Sequence, residues 1–204
     1  MKKVFITVIS LQARNGLEKL VYHPVGFQFL EKERETSFPI VPVIAEHLDR
    51  KEEIEVIAVR FKNQDVADNY QYFLGELKEL GIGEEQIKVV EMPENQNNDT
   101  IEQVFMDLIR AIPNHSEIRA CVTFGTKPIS VVITTALSLI DKLLSDVEVD
   151  GIYYGEIPRV DGKAKKEEAK IYDMSILMEL GGVINQLYEM DFNDPLSSLE
   201  QLLR

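Results

Sequence analysis

The sequence predicts an α/β fold of three layers, in which a mostly parallel sheet of roughly six strands lies between helices on both faces. Short apolar runs alternate with amphipathic segments in four successive units, as expected of strands and helices joined by right-handed crossovers. Hydrophobic residues make up 45% of the 204 residues, which suffices for a sizeable core. This length fits one domain with at most a small appendage.

The first strand is expected at Lys2–Ser10, which is apolar and is not followed by the small-residue cleavage site of a signal peptide. The next helix is expected only from Pro39, which leaves Leu11–Phe38 as a connection of 28 residues. Connections of this length are often functional. The segment either forms a hairpin around Pro24–Gly26 or packs three aromatic side chains on the body of the domain. These side chains are Tyr22, Phe27 and Phe29.

The other elements follow from apolar periodicity and from turn residues. The predicted strands are Glu53–Phe61, Glu85–Met92, Ile118–Phe124, Val147–Tyr154 and Ile171–Met174. The predicted helices are Pro39–Arg50, Asp65–Gly81, Ile101–Ile112, Ile129–Leu144 and Ser175–Met190, the last interrupted or kinked near Gly181-Gly182. Arg159–Lys170 is charged and is expected to be a loop or a hairpin tip.

The helix Asp65–Gly81 shows how these bounds are chosen. Asp65 is a favourable N-cap, and Gly81 is a favourable stop because glycine adopts the left-handed conformation without strain. Phe73 and Leu77 lie between them at helical spacing. The polar tract Pro93–Thr100 is interpreted in the same way, as a loop that ends in the N-cap of the next helix.

The turn after the strand Ile118–Phe124 has the features of an anion site. Pro128 suits the first helical position, and Lys127 suits the N-cap because a residue before proline avoids the α region. Gly125 lets a ligand approach the backbone. Free N–H groups and the positive end of the helix dipole, with a lysine beside them, favour phosphate. The alternative is a plain connection, which most strand-to-helix turns are.

In a parallel sheet, ligands bind at the carboxyl ends of the strands. That edge is predicted to gather five segments, which are Ser10-Leu11-Gln12, Phe61-Lys62, Glu94–Asn98, Gly125–Lys127 and Tyr154-Gly155-Glu156. Asn98 and the amides before it are candidates for reading purine edges, with a simple polar turn as the alternative. From chemistry alone, the sequence supports binding better than any named reaction.

Several functional classes are disfavoured by composition. The net charge of −13 argues against a long nucleic acid as partner, and no apolar run approaches the roughly 20 residues of a membrane span. The three histidines are far apart without metal-ligand neighbours, so neither a metal site nor a cofactor is expected. No catalytic constellation is visible. The single cysteine, Cys121, cannot form an internal disulfide, which favours a reducing cytoplasm.

The turn T-F-G-T-K-P, Thr123–Pro128, resembles the T-x-G-T-K-P signature of CARF domains, the CRISPR-associated Rossmann-fold sensors of cyclic oligoadenylate. The segment Ser10-Leu11-Gln12 is similar to the first ligand loop of that family. The resemblance covers nearly the whole chain, but only the turn is specific. It implies a Rossmann-like domain of a type III antiviral signalling protein. It also implies a homodimer, formed through the carboxyl-end face of the sheet, that binds one cyclic tetra- or hexa-adenylate on its symmetry axis.

The resemblance also implies roles for individual residues. Thr126 and Lys127 would hold phosphates and riboses, Gly125 would allow close approach, and Ser10 and Gln12 would contact the ring. The full set of predicted ligand-binding residues is Ser10, Leu11, Gln12, Asn98, Thr123, Phe124, Gly125, Thr126 and Lys127. Phe124 departs from the family pattern, where many members have a second glycine. Some members cleave their ligand through its ribose 2′-hydroxyl without a metal, so a ring nuclease is the alternative to a sensor.

The chain is predicted to divide into a domain, residues 1–193, and a short carboxyl-terminal helix or linker, residues 194–204. Asp194 is a favourable cap and Pro195 a favourable first helical residue. Leucines that form an apolar stripe follow, at Leu196, Leu199, Leu202 and Leu203. This stripe is expected to pair across a dimer, to lead into an effector domain, or to fold back on its own domain.

Overall fold

Seven strands form one sheet, and the fold is α/β as the sequence predicts. The computed structural model describes residues 1–12, 17–30, 33–144, 146–161, 163–189 and 194–202. The strands are β1 (Lys2–Val8), β2 (Leu20–Val21), β3 (His23–Val25), β4 (Glu35–Thr36), β5 (Ile54–Phe61), β6 (Ile87–Met92), β7 (Ser116–Cys121), β8 (Val147–Glu156), β9 (Arg159–Val160), β10 (Lys163–Ala164) and β11 (Lys170–Asp173). The helices are α1 (Ile40–Ala45), α2 (Gln64–Glu79), α3 (Asn98–Ala111), α4 (Lys127–Leu143), α5 (Ile176–Glu189) and α6 (Pro195–Leu202).

The strand order of the main sheet is β3-β11-β8-β7-β1-β5-β6. The five strands from β8 to β6 are parallel, whereas β11 runs antiparallel to β8. The six predicted strands are therefore all present, and β3 is a seventh strand that the sequence reasoning did not place there. Pro24 lies within β3 and has no N–H to donate to a ladder, which is compatible with its position at the sheet edge.

Helices cover both faces of the sheet because the chain reverses its direction across it. From β1 the chain moves outward to β5 and β6, then returns past β1 to β7 and β8. Right-handed crossovers consequently place α1 and α2 on one face and α3 and α4 on the other. The central strand β1 is buried between these layers, with Val4, Phe5, Ile6 and Val8 inaccessible to solvent.

The tight hairpin within Leu20–Leu30 is absent, although the flanking strands β2 and β4 pair, and the packing of the three aromatic side chains is confirmed. β3 pairs with β11 instead, whereas β2, before Gly26, pairs antiparallel with β4, after it, so the segment folds back on itself through a wider loop. Tyr22 is buried, and both predicted phenylalanines pack against the core. The buried carboxylate of Glu76 accepts hydrogen bonds from the Thr36 hydroxyl and from the Ser37 N–H at 3.0 Å, which anchors the end of this segment on α2.

Element boundaries differ from the predictions mainly at helix starts. Asn63, not Asp65, caps α2, because its side chain accepts a hydrogen bond from the Val66 N–H at 2.9 Å. The predicted helix Pro39–Arg50 is shorter, since α1 ends at Ala45 and a 3₁₀ helix follows. Gly81 has a φ of +79° after α2, as expected of a helix stop.

The carboxyl-terminal elements follow the prediction closely. One difference is that the predicted interruption at Gly181-Gly182 is absent, because α5 runs unbroken from Ile176 to Glu189. The Asp194 carboxylate accepts a hydrogen bond from the Ser197 N–H at 3.1 Å and thus caps α6. The predicted domain boundary after residue 193 falls on residues outside the described part of the chain, as does Leu203. No helix among the described residues is both long enough and apolar enough to cross a membrane.

Candidate functional site

The predicted ligand-binding segments converge at the carboxyl ends of the parallel strands. β1 and β7 are neighbours with Thr7 opposite Cys121, so the loops that follow them leave the same edge of the sheet. The loop after β6 reaches this point as well, because the Gln96 amide oxygen accepts a hydrogen bond from the Thr126 hydroxyl at 2.7 Å. The structure therefore brings the β1 loop, the β6 loop and the T-F-G-T-K-P turn together.

Gly125 shapes the turn through its backbone and its lack of a side chain. Its φ of +93° lies in the region that favours glycine. A Cβ at this position would lie 2.7 Å from a methyl carbon of Ile129 and 2.8 Å from one of Val8. The turn thus lies directly against β1 and α4, and any side chain at position 125 would push it outward.

The amino terminus of α4 presents unpaired donors. Thr126 is the N-cap, because its carbonyl accepts hydrogen bonds from the N–H groups of Ile129 at 3.1 Å and Ser130 at 3.4 Å. The prediction of Lys127 as the cap is therefore wrong by one residue, and Lys127 is the first helical residue. Its ammonium is exposed and forms no ion pair or hydrogen bond among the described residues. The backbone N–H groups of Gly125, Thr126 and Lys127 also lack acceptors within that part of the chain.

The β1 loop is held in place by a buried side chain of α2. The Asn69 amide donates to the carbonyl oxygens of Ser10 at 2.9 Å and of Gln12 at 2.7 Å. Ser10 is fully buried, and its hydroxyl accepts a hydrogen bond from the Gln12 N–H at 3.1 Å. Leu11 packs partly against the core, whereas Gln12 is exposed. Ser10 and Leu11 therefore shape the loop, and Gln12 is the residue that faces solvent.

Sequence reasoning missed Asn69. An available signal was its helical spacing, since it lies three residues after Val66 and four before Phe73, both of which are buried. An amide on the apolar face of a helix requires hydrogen-bond partners, and those partners turned out to be backbone carbonyls of the candidate site.

Thr123 and Phe124 hold the turn from the other side. The Thr123 hydroxyl accepts a hydrogen bond from the Gly155 N–H at 2.6 Å and lies 3.1 Å from the Cys121 sulfur. The Phe124 ring packs edge-on against Phe38, with 6.1 Å between ring centroids. The strand predicted through Phe124 ends at Cys121, where the chain turns. Burial raises the pKa of the Cys121 thiol, so this sulfur is a poor nucleophile.

Asn98 lies at the amino terminus of α3, on the same edge of the sheet. Asn97 caps this helix by accepting a hydrogen bond from the Thr100 N–H at 2.9 Å, so α3 begins three residues before the predicted Ile101. Asn98 itself is exposed in the first turn. Its predicted contact with a ligand stays a prediction.

Cations and carboxylates both lie at this edge, which includes Glu94 and Glu156. Lys62, which was also predicted there, already forms an ion pair with Glu91 at 2.7 Å. Hydrogen bonds from Lys62 and Arg60 lower the pKa of the Glu91 carboxyl. This carboxylate stays ionised and compensates the positive charges of both side chains. Lys127 is therefore the cation at the site whose charge is uncompensated within the described residues. The part of the chain that the structure describes contains no group of three or more His, Cys, Asp or Glu side chains that could hold a metal ion.

Comparisons with known proteins add little to this description. No protein family and no curated protein matches the chain. Among solved structures, the chain is similar to a Staphylococcus aureus protein proposed to be a phosphofructokinase, with a TM-score of 0.36 and 10% identity. The match covers 70% of this chain and 51% of that one, so the chain spans about half of its length. A likeness this low carries no functional argument.

Proposed function

We propose that the chain is a cyclic oligoadenylate sensor that binds its ligand through the T-F-G-T-K-P turn and the β1 loop. The observation that carries this proposal is the uncompensated lysine and the unpaired N–H groups at the start of α4, beside a loop fixed by Asn69. The resemblance of Thr123–Pro128 to the CARF signature supplies the class of ligand. The protein would then act in type III CRISPR signalling in the cytoplasm, as a homodimer.

Phosphate is the group that this turn accommodates best. Backbone N–H groups at a helix start bind phosphate oxygens, and the helix dipole adds to the attraction. Lys127 contributes a charge-assisted hydrogen bond, which is stronger than one between neutral groups. Gly125 keeps side chains away from the backbone donors.

A ring of adenylates matches a twofold-symmetric site because each half of the ring offers the same phosphates and bases. In such a dimer each chain supplies one turn and one β1 loop. Gln12 and Asn98, both exposed, would contact the ribose or base edges. Phe124, which packs on Phe38 inside the domain, would set the depth of the cavity.

Lys127→Ala tests the proposal. Removing a hydrogen bond to a charged group costs about 1.5–3 kcal/mol per copy, and a symmetric ring loses two such contacts. We expect affinity for cyclic tetra- or hexa-adenylate to fall at least about a hundredfold in calorimetry, because two such losses add up. Lys142→Ala is the matched control, since it removes the same charge from the far end of α4 and should bind as wild type.

The same titration distinguishes the competing possibilities. One ring per two chains supports the symmetric site, whereas one ligand per chain indicates a linear nucleotide or a sugar phosphate. Equal affinities of wild type and Lys127→Ala, or no binding of either ring, would refute the assignment. Chromatography of the ring after incubation with the protein separates a sensor, which returns it intact, from a ring nuclease.

A further inference from the structure

The groove between α4 and α5 is a second candidate site, and the ring proposal does not use it. Its volume is about 600 Å³, which lies within the range of small-molecule sites in proteins. Ile152 and Tyr154 of β8 line it together with Val122, which follows β7. None of the nine predicted ring-binding residues lines it, although Val122 directly precedes the T-F-G-T-K-P turn and Tyr154 belongs to the same sheet edge.

Most side chains in the groove are apolar and several are adaptable. Met174 and Met178 line it, and the flexible thioether of methionine adjusts to ligands of different shape. Phe105 of α3 adds an aromatic surface. Leu177 also lines the groove and is 55% exposed, so α5 covers this surface incompletely. An apolar ligand would remove this surface from water, which is favourable.

The polar side chains of the groove offer hydroxyl groups and one positive charge. Thr135, Ser138 and Lys142 lie on one face of α4 at helical spacing and all line it. No aspartate or glutamate of the described residues lines the groove, although the chain contains 35 acidic residues. The Lys142 ammonium is exposed and has no ion pair or hydrogen bond within the described chain. The groove therefore combines an apolar body with one cationic end.

We propose that the groove binds a small amphiphile with an apolar body and one anionic group, of the type of a medium-chain carboxylate. The apolar body lies between α4 and α5, and the anionic group lies beside Lys142, where the hydroxyls of Thr135 and Ser138 offer hydrogen bonds. This site is independent of the ring site, so its test does not depend on the proposed sensor function.

Two adjacent glycines of α5 offer a matched pair of variants. Gly181 lines the groove and Gly182 does not. A Cβ at either position would have no atom within 4 Å, so a side chain can leave the backbone at both without a clash. Leucine is a better helix former than glycine, and both Gly181→Leu and Gly182→Leu should retain the fold. The first substitution fills the groove, and the second makes the same chemical change outside it.

The experiment is calorimetric titration of the full chain with decanoate and with decyltrimethylammonium, below their micelle concentrations. We expect wild type to prefer decanoate by about fivefold, the range of an exposed ion pair, and Lys142→Gln to lose this preference. Gly181→Leu should weaken decanoate binding about tenfold or more through loss of apolar contact, while Gly182→Leu binds as wild type. Melting temperatures of all variants report retention of the fold.

Three results would overturn the proposal. The first is absence of decanoate binding to wild type, and the second is an equal effect of the two glycine variants. The third comes from sedimentation velocity: a wild-type dimer that dissociates in Gly181→Leu but not in Gly182→Leu would show that a second copy of the chain occupies the groove.

Discussion

Asn69 shows how one buried side chain can determine the shape of a binding loop. Its amide nitrogen donates to the backbone carbonyls of Ser10 and Gln12, two residues of the same loop. Asn69 itself is inaccessible to solvent. A carbonyl pair fixed in this way cannot change its spacing unless α2 moves too. The geometry of the β1 loop in the candidate site therefore depends on a residue that does not itself belong to the site.

We expect Asn69→Ala to lower the free energy of unfolding by about 1–3 kcal/mol, because the two carbonyls lose their donor. The β1 loop should relax, and affinity for the ring should fall with it. Asn63→Ala is the control, since loss of this N-cap destabilises the same helix by about 1 kcal/mol without touching the loop. Urea unfolding gives the stabilities and calorimetry the affinities. A fall in ring affinity of equal size in both variants would contradict the role assigned to Asn69.

His47 provides a second prediction at residue scale. Burial, followed by the nearby charges of Arg119 and Lys3, lowers its pKa, and the Asp150 and Asp49 carboxylates oppose this only in part. The unfolded chain therefore binds a proton at His47 more readily than the folded protein does. Stability is retained above the unfolded pKa of about 6.5 and is lost as the pH falls below it.

His47→Phe should reduce this loss, because phenylalanine preserves the ring contact with Phe5, whose centroid lies 5.6 Å away, and does not titrate. We expect the variant to show a smaller decrease in unfolding free energy than wild type between about pH 7.5 and pH 5.5. Urea unfolding of wild type and His47→Phe at each pH measures the difference. Identical pH profiles for wild type and His47→Phe would exclude a contribution from this group.

At the scale of elements, a β-bulge places a carboxylate beside a buried arginine. The pairing of β7 with β8 shifts between Ile118 and Arg119, so that Val149 and Gly151 are the successive partners and Asp150 is the extra residue. The Asp150 carboxylate pairs with the Arg119 guanidinium, which is only 6% exposed. The bulge thus supplies the closer counter-ion for the Arg119 guanidinium, whose other carboxylate neighbour, Glu117, lies 3.6 Å away.

Asp150→Ala should destabilise the fold by about 1–3 kcal/mol, because Arg119 then keeps only the more distant Glu117 at 3.6 Å. Because the Asp150 side chain is 41% exposed, we expect a smaller loss of stability than breaking a fully buried ion pair causes. Adding Arg119→Met should restore most of the stability, since an apolar side chain needs no counter-ion. Urea unfolding of the two single variants and the double variant measures the coupling. Additive losses would show that the pair contributes nothing.

The sequence was sufficient for the elements with strong periodicity and insufficient for those set by tertiary contacts. α4 and β5 follow from apolar patterns because their spacing alone decides burial. β3 does not, since its partner β11 lies more than a hundred residues later and only the folded sheet brings them together. The predicted helix starts were wrong because several polar residues near each start could act as the N-cap. At α2 the cap is Asn63 and not Asp65, because the Asn63 side chain accepts a hydrogen bond from the Val66 N–H, which residue spacing does not reveal.

The candidate site was predictable to a similar degree. The Gly125–Lys127 turn could be placed at the sheet edge from the order of strand, turn and helix. The burial of Ser10 could not, because it depends on Asn69 and on the loop's own hydrogen bond to Gln12. Spacing indicates which segments meet, whereas the direction of each side chain depends on partners distant in sequence.

At the scale of the whole molecule, the charge of the chain and that of its proposed ligand have the same sign. The net charge of −13 opposes the approach of any polyanion at low salt. At physiological ionic strength, screening limits such effects to about 8 Å, so the local donors at the start of α4 decide binding. Rising salt should therefore speed association even where it weakens the individual contact with Lys127.

Helix α6 either packs as part of the domain or extends from it as a separate element. α6 lies against α5, and none of its side chains from Leu196 to Glu200 belongs to the main core. Leu196, the first leucine of the predicted stripe, is 73% exposed, so the described part of α6 leaves apolar surface uncovered. We therefore infer that α6 adds little to the stability of the domain, and that Leu196 is available to a partner.

Deletion of residues 194–204 should leave the melting temperature and the ring affinity of the domain unchanged, because no α6 side chain that the structure describes belongs to the main core or to the candidate site. Leu196→Glu in the full chain is the matched variant, since it makes the stripe polar without shortening the protein. Differential scanning calorimetry and ring titration measure both. A loss of more than about 2 kcal/mol in stability on deletion would show that α6 folds back as part of the domain, because burying a leucine contributes about that much. A deletion that lowers ring affinity at unchanged stability would instead show that the tail pairs across the dimer, next to the ligand.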